Sequence, residues 1–178
     1  SGKGAASNNP ATWTDYATAV DAVERYGFTG VGFMFSKDDD FVGVDIDHCY
    51  DPETKTFNDT AKAIIARQPT YMEFSPSGTG VHLFYKGKIP GTGNKNTKTG
   101  VEMYEHTRYF TMTGKKLDGA TDTVAEDNGT LKWIHETFIR SPKKQKKKSQ
   151  KNVPVQLTDD DLLELARNAE NGESFTKL

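Results

Sequence analysis

A single cysteine, Cys49, in 178 residues excludes an intrachain disulfide and a multi-thiolate zinc site. No apolar run approaches the roughly 20 residues that would carry a helix across a bilayer, and the first residues contain no secretion signal. No membrane partner is expected, and a reducing cytoplasm is the expected compartment. The chain opens Ser1-Gly2 without a Met, which fits a fragment boundary. A dominant charge of one sign is also missing: 23 basic and 25 acidic residues give a net −2. Overall charge therefore does not announce a nucleic-acid partner. The distribution is uneven, however. Residues 143–151 (KKQKKKSQK) hold six lysines and no acid, leaving 17 basic residues of the 23 against 25 acids elsewhere, a balance of −8. Such a run either attracts phosphates without regard to sequence or is only a solvated linker.

Aromatics are not scarce. Ten Phe, 7 Tyr and 2 Trp within 34% hydrophobic residues supply a real core, which excludes global disorder. The length allows one full domain and an appendage. A flexible polar tail at 1–12, a main domain at 13–140, a lysine-rich linker at 141–156 and the truncated start of a helical domain at 157–178 are expected. Within the main domain, Thr14 is the expected N-cap of a helix running to Gly27. VGFMF (31–35) and FVGVDID (41–47) read as a hairpin across SKDDD. DPETKTFND (51–59) reads as a loop, with Asn58 or Asp59 capping a helix over 61–68 that Pro69 stops. YMEFS (71–75) and VHLFYKG (81–87) read as a second hairpin, and 89–100 as a mobile loop. VEMYE (101–105) and RYFTMTG (108–114) alternate like strands around a tight EHT turn. GTLKWIHETFI (129–139) reads as a helix with Leu131, Ile134 and Phe138 on one side, and a last helix is expected with Thr158 as N-cap. Strands and helices in this irregular order imply an α+β fold, an antiparallel or mixed sheet covered by helices.

In VDID, Asp45 and Asp47 are two apart on a strand and share a face, with Val42, Val44 and Ile46 on the other. Crowded carboxylates with no Lys or Arg between them repel, and a hard divalent cation relieves that. The bland reading is a solvent-facing polar edge. Glu102, between Val101 and Met103, adds a third acid from another strand. Three such carboxylates could hold a pair of magnesium or manganese ions for phosphoryl or nucleotidyl transfer.

SPSGTGVH (75–82) joins two strands. Gly78 and Gly80 allow a turn that points N–H groups at an anion, Ser77 and Thr79 add hydroxyls, and His82 enters the next strand as a donor. The alternative is an ordinary hairpin turn with a structural histidine. Arg108 is either a guanidinium fork for a phosphate or a surface turn residue. Lys95 and Lys98 face nucleic acid or water. His48, Cys49 and His135 read as structural.

In order and spacing, VDID, SGTGVH and VEMY resemble the three motifs of the archaeo-eukaryotic primase superfamily, and RYFTMTG resembles its phage and mobile-element primase-polymerases. The resemblance covers residues 13–140. It implies an RRM-like catalytic sheet and two-metal, template-directed nucleotidyl transfer with Mg2+ or Mn2+ on Asp45, Asp47 and Glu102. It further implies a triphosphate site along Ser77, Gly78, Thr79, Gly80 and His82, with Arg108 on the nucleotide. Single-stranded DNA template, primer and (d)NTPs are the implied partners, and the bacterial host cytoplasm the implied setting. The tail DDLLELARNAENGESFTKL resembles the start of the helical domain that follows such primases, often ahead of a helicase. A metal-dependent nuclease and a non-catalytic DNA-binding module of a replication initiator are the alternatives.

Overall fold

The computed structural model of the chain describes residues 3–140 and, past them, Asp160 and Glu164, both helical. The lysine run, the linker and the rest of the expected terminal helix lie outside the described residues.

The fold is α+β. Its centre is β2 (Phe41–Ile46), whose two edges are both occupied by antiparallel neighbours, β6 (Val81–Lys86) and β8 (Val101–Tyr104). Beyond β8 lies β7 (Lys95–Asn96). The far edge of β6 carries β5 (Met72–Phe74), antiparallel, and then β10 (Ala125–Glu126), parallel, so the sheet is mixed. Period-two alternation sorts β2 into two faces. Val42, Val44 and Ile46 are fully buried with Val81, Leu83, Tyr85, Val101 and Met103. Two helices cover that face: α2 (Asp59–Ile65) through Ala61 and Ile64, and α3 (Thr130–Ile134) through Leu131 and Ile134. Each buried aliphatic side chain contributes about 1.5–3 kcal/mol. This face therefore outweighs a cost of a few kcal/mol from crowded charges on the other.

The opposite face carries Phe41, Gly43 and Asp45. A separate two-stranded sheet, β1 (Val31–Met34) with β9 (Tyr109–Met112), belongs to this side of the molecule. Its aromatics interlock with the large sheet: Phe35 meets Phe110 edge-on at 4.9 Å and stacks on Phe84 at 6.0 Å. Gly43 leaves the room for this, since a Cβ there would lie 2.4 Å from Phe35 and 2.5 Å from Phe110.

Two expected pairings are corrected. VGFMF and FVGVDID do not form a hairpin, because both edges of β2 are taken by β6 and β8. The VEMYE and RYFTMTG strands do not pair with each other either: β8 stays in the large sheet while β9 joins β1. Each connection carries the chain from one sheet to the other. Asp39 closes the first by accepting from the Ser36 and Phe41 amides, and Thr107, at φ 58°, turns the second.

Smaller corrections concern local chemistry. The cap of α1 (Tyr16–Tyr26) is Asp15, not Thr14, because the Asp15 carboxylate accepts from the Thr18 amide; Gly27 ends the helix in the left-handed region as expected. The polar start is turned back on itself, with a 3-10 turn at Pro10–Thr12 and the Trp13 indole donating to the Ala6 carbonyl. The expected loop at 51–59 is instead part of a small hairpin, β3 (Tyr50–Asp51) with β4 (Thr56–Phe57). Asn58 caps α2, which ends at Ile65, short of Pro69. The 89–100 segment contains β7, and a π-helical turn, His135–Ile139, extends α3.

Candidate active site

The registers place five residues in one line across five strands: Glu73 opposite His82, His82 opposite Asp45, Asp45 opposite Glu102, and Glu102 opposite Lys95. Directly opposed residues on antiparallel strands project from the same face. Three acids, a histidine and a lysine thus form a single row on the face turned away from the helices. Asp47 stands two residues along from Asp45, just past the strand end and exposed, with its amide bonded to the Gly100 carbonyl at 2.8 Å.

Asp45 is the anomalous member. Its Oδ1 is buried and has no hydrogen-bond partner. Burial, then the charges of Asp47 and Glu102, push its carboxyl up to about 7, against an opposing pull from Arg108. Glu102 is held by the Tyr104 hydroxyl, which donates to its Oε2. Burial, then that contact, push the Tyr104 phenol up to about 12. The Arg108 guanidinium stacks over the Tyr104 ring, 5.0 Å from its centre.

His82 is enclosed on three sides. Its ring stacks on Phe110 with centroids 4.4 Å apart. Nε2 lies 3.8 Å from Asp45 Oδ1, and Nδ1 lies 3.9 Å from Glu73 Oε1. Both separations exceed hydrogen-bond length, and Nδ1 is buried without a partner. Burial lowers the imidazole pKa, against the influence of Glu73 and Asp47. A cleft of about 220 Å³ opens here, lined by Asp45, His82, Pro76, Arg108 and the β9 residues Tyr109 to Thr111. Arg108 is therefore brought to the acids.

The 75–80 loop departs from the expected anion nest. Its Gly78 amide donates to the Ser75 carbonyl, the Thr79 amide to Ser77 Oγ, and the Gly80 amide to Ser75 Oγ. The hydroxyls of Ser75, Ser77 and Thr79 form a chain with 3.0 Å steps. Gly78 has φ +74° as expected. Gly80 does not need positive φ but space: a Cβ would lie 2.8 Å from Ser75 Oγ and 3.0 Å from the Ile46 carbonyl. Lys95 ends the row on β7, outside any mobile loop, and Lys98 is exposed in the turn that follows.

Cys49 and His135 have structural explanations. Cys49 is buried and its thiol is pushed up to about 12, chiefly by burial. His135 is buried on the last helical turn, with Nε2 2.9 Å from the Gly93 carbonyl.

Asp45, Asp47 and Glu102 supply only hard oxygen donors. Among the described residues, no three acidic, His or Cys side chains are grouped closely enough to ligate one ion as they stand. The orphaned Asp45 oxygen and the mutual repulsion of the acids nevertheless fit a divalent cation in chemistry.

Sequence reasoning missed Glu73 and Tyr104. The signal for Glu73 was present: the strand–loop–strand reading of 71–87 pairs it with His82, and the alternation of YMEFS sets it opposite Met72.

No protein-family model matches the chain. It is similar to the DNA Primase-polymerase of Nitratiruptor phage NrS-1, with 35% identity over an alignment of 160 residues that covers 88% of this chain and 21% of that protein. The chain thus spans about a fifth of the length of this curated relative. The resemblance to phage primase-polymerases, read from VDID, SGTGVH and VEMY together with RYFTMTG, is upheld by this comparison.

Proposed function

We propose that residues 13–140 are the catalytic domain of a phage or mobile-element DNA primase and DNA-directed polymerase, built on the RRM-like core of the archaeo-eukaryotic primases. The observation that carries this reading is the row His82–Asp45–Glu102, of which His82 and Asp45 line a cleft, with a buried Asp45 oxygen lacking any partner. The likeness to a phage protein named DNA Primase-polymerase supports it.

The reaction is nucleotidyl transfer. A bond forms between a primer 3′-oxygen and the α-phosphorus of a (d)NTP, the α–β phosphoanhydride breaks, and pyrophosphate leaves. Asp45, Asp47 and Glu102 are the residues to hold Mg2+ or Mn2+. When bound, those ions acidify the 3′-hydroxyl and neutralise charge on the phosphates. His82 presents Nε2 to a phosphate oxygen from its place between Phe110 and Glu73. Arg108 offers a planar fork to the triphosphate, and the Tyr104 ring beneath it limits its wandering. Ser77 and Thr79 offer hydroxyls at the loop, while Gly78 and Gly80 keep it low enough for a triphosphate to approach. Positioning and charge stabilisation then supply most of the rate. Lys95 and Lys98 contact the backbone of single-stranded DNA template or primer. The setting is a longer replication protein with a helicase domain, acting in the bacterial host cytoplasm.

The test is incorporation of labelled nucleotides on single-stranded DNA, with and without an annealed primer, beside the Asp45→Ala/Asp47→Ala double variant. Metal-dependent product that the double variant fails to make is expected. Template degradation without nucleotides would instead mark a nuclease. DNA binding indifferent to metal and nucleotide, with no product, would mark a non-catalytic module.

A further inference from the structure

Glu73 is fully buried, yet it is an acid in the middle of a strand. Its Oε1 accepts from the Thr113 amide at 2.9 Å, and its Oε2 accepts from the Gly114 amide at 2.9 Å and the Tyr71 hydroxyl at 2.8 Å. Three donors hold the carboxylate rigidly. Among the described residues, the one basic side chain within 4 Å of it is His82, whose Nδ1 lies 3.9 Å from Oε1. A buried carboxylate without a cation is costly to keep, and a neutral side chain could join β5 to the 113–114 turn just as well. The His82 Nδ1 that faces it is itself buried and unpartnered, so Glu73 is the acid that Nδ1 faces, while Nε2 faces Asp45 Oδ1 at 3.8 Å on the cleft side. A ring shift of less than 1 Å would bring the pair within hydrogen-bond length.

We propose that Glu73 is a positioning residue for nucleotide binding: fixed by Tyr71, Thr113 and Gly114, it takes the Nδ1 edge of His82 and so turns the Nε2 edge toward the cleft. Which imidazole nitrogen faces a ligand is set by the partner of the other one. Phe110, stacked on the ring, fixes its plane, and Glu73 fixes its rotation within that plane. The proposal rests on His82 contacting the triphosphate.

A double-mutant cycle tests it, with dATP and magnesium chloride titrated calorimetrically into the full 178-residue chain. His82→Ala is expected to weaken dATP binding about tenfold, the scale of a hydrogen bond to a charged group. Glu73→Gln is expected to weaken it roughly threefold or more in the parent chain and not at all in the His82→Ala background. A purely structural tie would lower affinity by the same factor in both backgrounds, which would overturn the proposal. Full affinity in Glu73→Gln alone would overturn it too. Unchanged affinity in His82→Ala would overturn the reading of His82 itself and this inference with it. Should Glu73→Gln fail to fold, Tyr71→Phe removes one of the three donors and leaves the carboxylate. It is expected to weaken binding by a smaller factor that again disappears in the His82→Ala background, and an equal loss in both would refute the positioning role.

Discussion

Replacing Asp45 by Asn should make the metal-free protein more stable while abolishing its chemistry. The carboxyl ionises at about 7 in the folded chain against 3.8 for the unperturbed group, because burial, Asp47 and Glu102 disfavour its charge. Between those two values the folded state holds a proton that the unfolded state has released. Stability therefore falls as pH rises through that window and levels off above it. Three units at about 1.4 kcal/mol each set a ceiling of roughly 4 kcal/mol for the cost of the ionised group at pH 8. Allowing for relaxation and entering water, a gain of about 2 kcal/mol for Asp45→Asn is the working figure, or roughly 5–10 °C in Tm for a domain of this size. Thermal denaturation in a chelating buffer at a series of pH values from 4 to 8 reads it directly. The advantage of the Asn variant should be near zero at pH 4, grow with pH and saturate above 7. Magnesium should narrow the gap by stabilising only the parent. A gap that is flat with pH, or a parent that is the more stable at pH 8, would refute the electrostatic account of the row.

Arg108→Ala should weaken triphosphate binding about tenfold, and Arg108→Lys should not restore it, because an ammonium lacks the planar fork and the stacking on Tyr104. Calorimetric titration of a nucleoside triphosphate checks both. Gly43→Ala should cost about 1–3 kcal/mol in urea unfolding, since the added methyl would overlap Phe35 and Phe110. Unchanged stability there would mean that the β1–β9 sheet is free to move off the site.

The placement of the candidate row was legible where the apolar alternation repeats at short range. Asp45, Glu102 and His82 were readable because each sits among apolar residues of a strand whose alternation shows which way it faces. The hairpin of β5 and β6 was readable because its two strands are joined by one turn. The pairing of β1 with β9 was not, since 74 residues lie between Met34 and Tyr109 and nothing local tells a strand to leave its neighbour. That β2 would be central followed only from its being flanked on both sides, a property of the assembled sheet. The closed hydrogen bonding of the 75–80 loop was likewise hidden, because Ser, Thr and Gly serve an anion or one another with the same atoms. Glu73 and Tyr104 were missed because a lone acid or tyrosine in a strand becomes informative only once its cross-strand partner is known.

The most direct test is a crystal structure of the chain with manganese and a non-hydrolysable dATP analogue, using the anomalous signal of the metal. Manganese bound by Asp45, Asp47 and Glu102, with triphosphate oxygens within hydrogen-bond distance of His82 Nε2 and Arg108, is the predicted result. Manganese elsewhere, or a nucleotide seated away from this cleft, would contradict the assignment of the row as a nucleotidyl-transfer site.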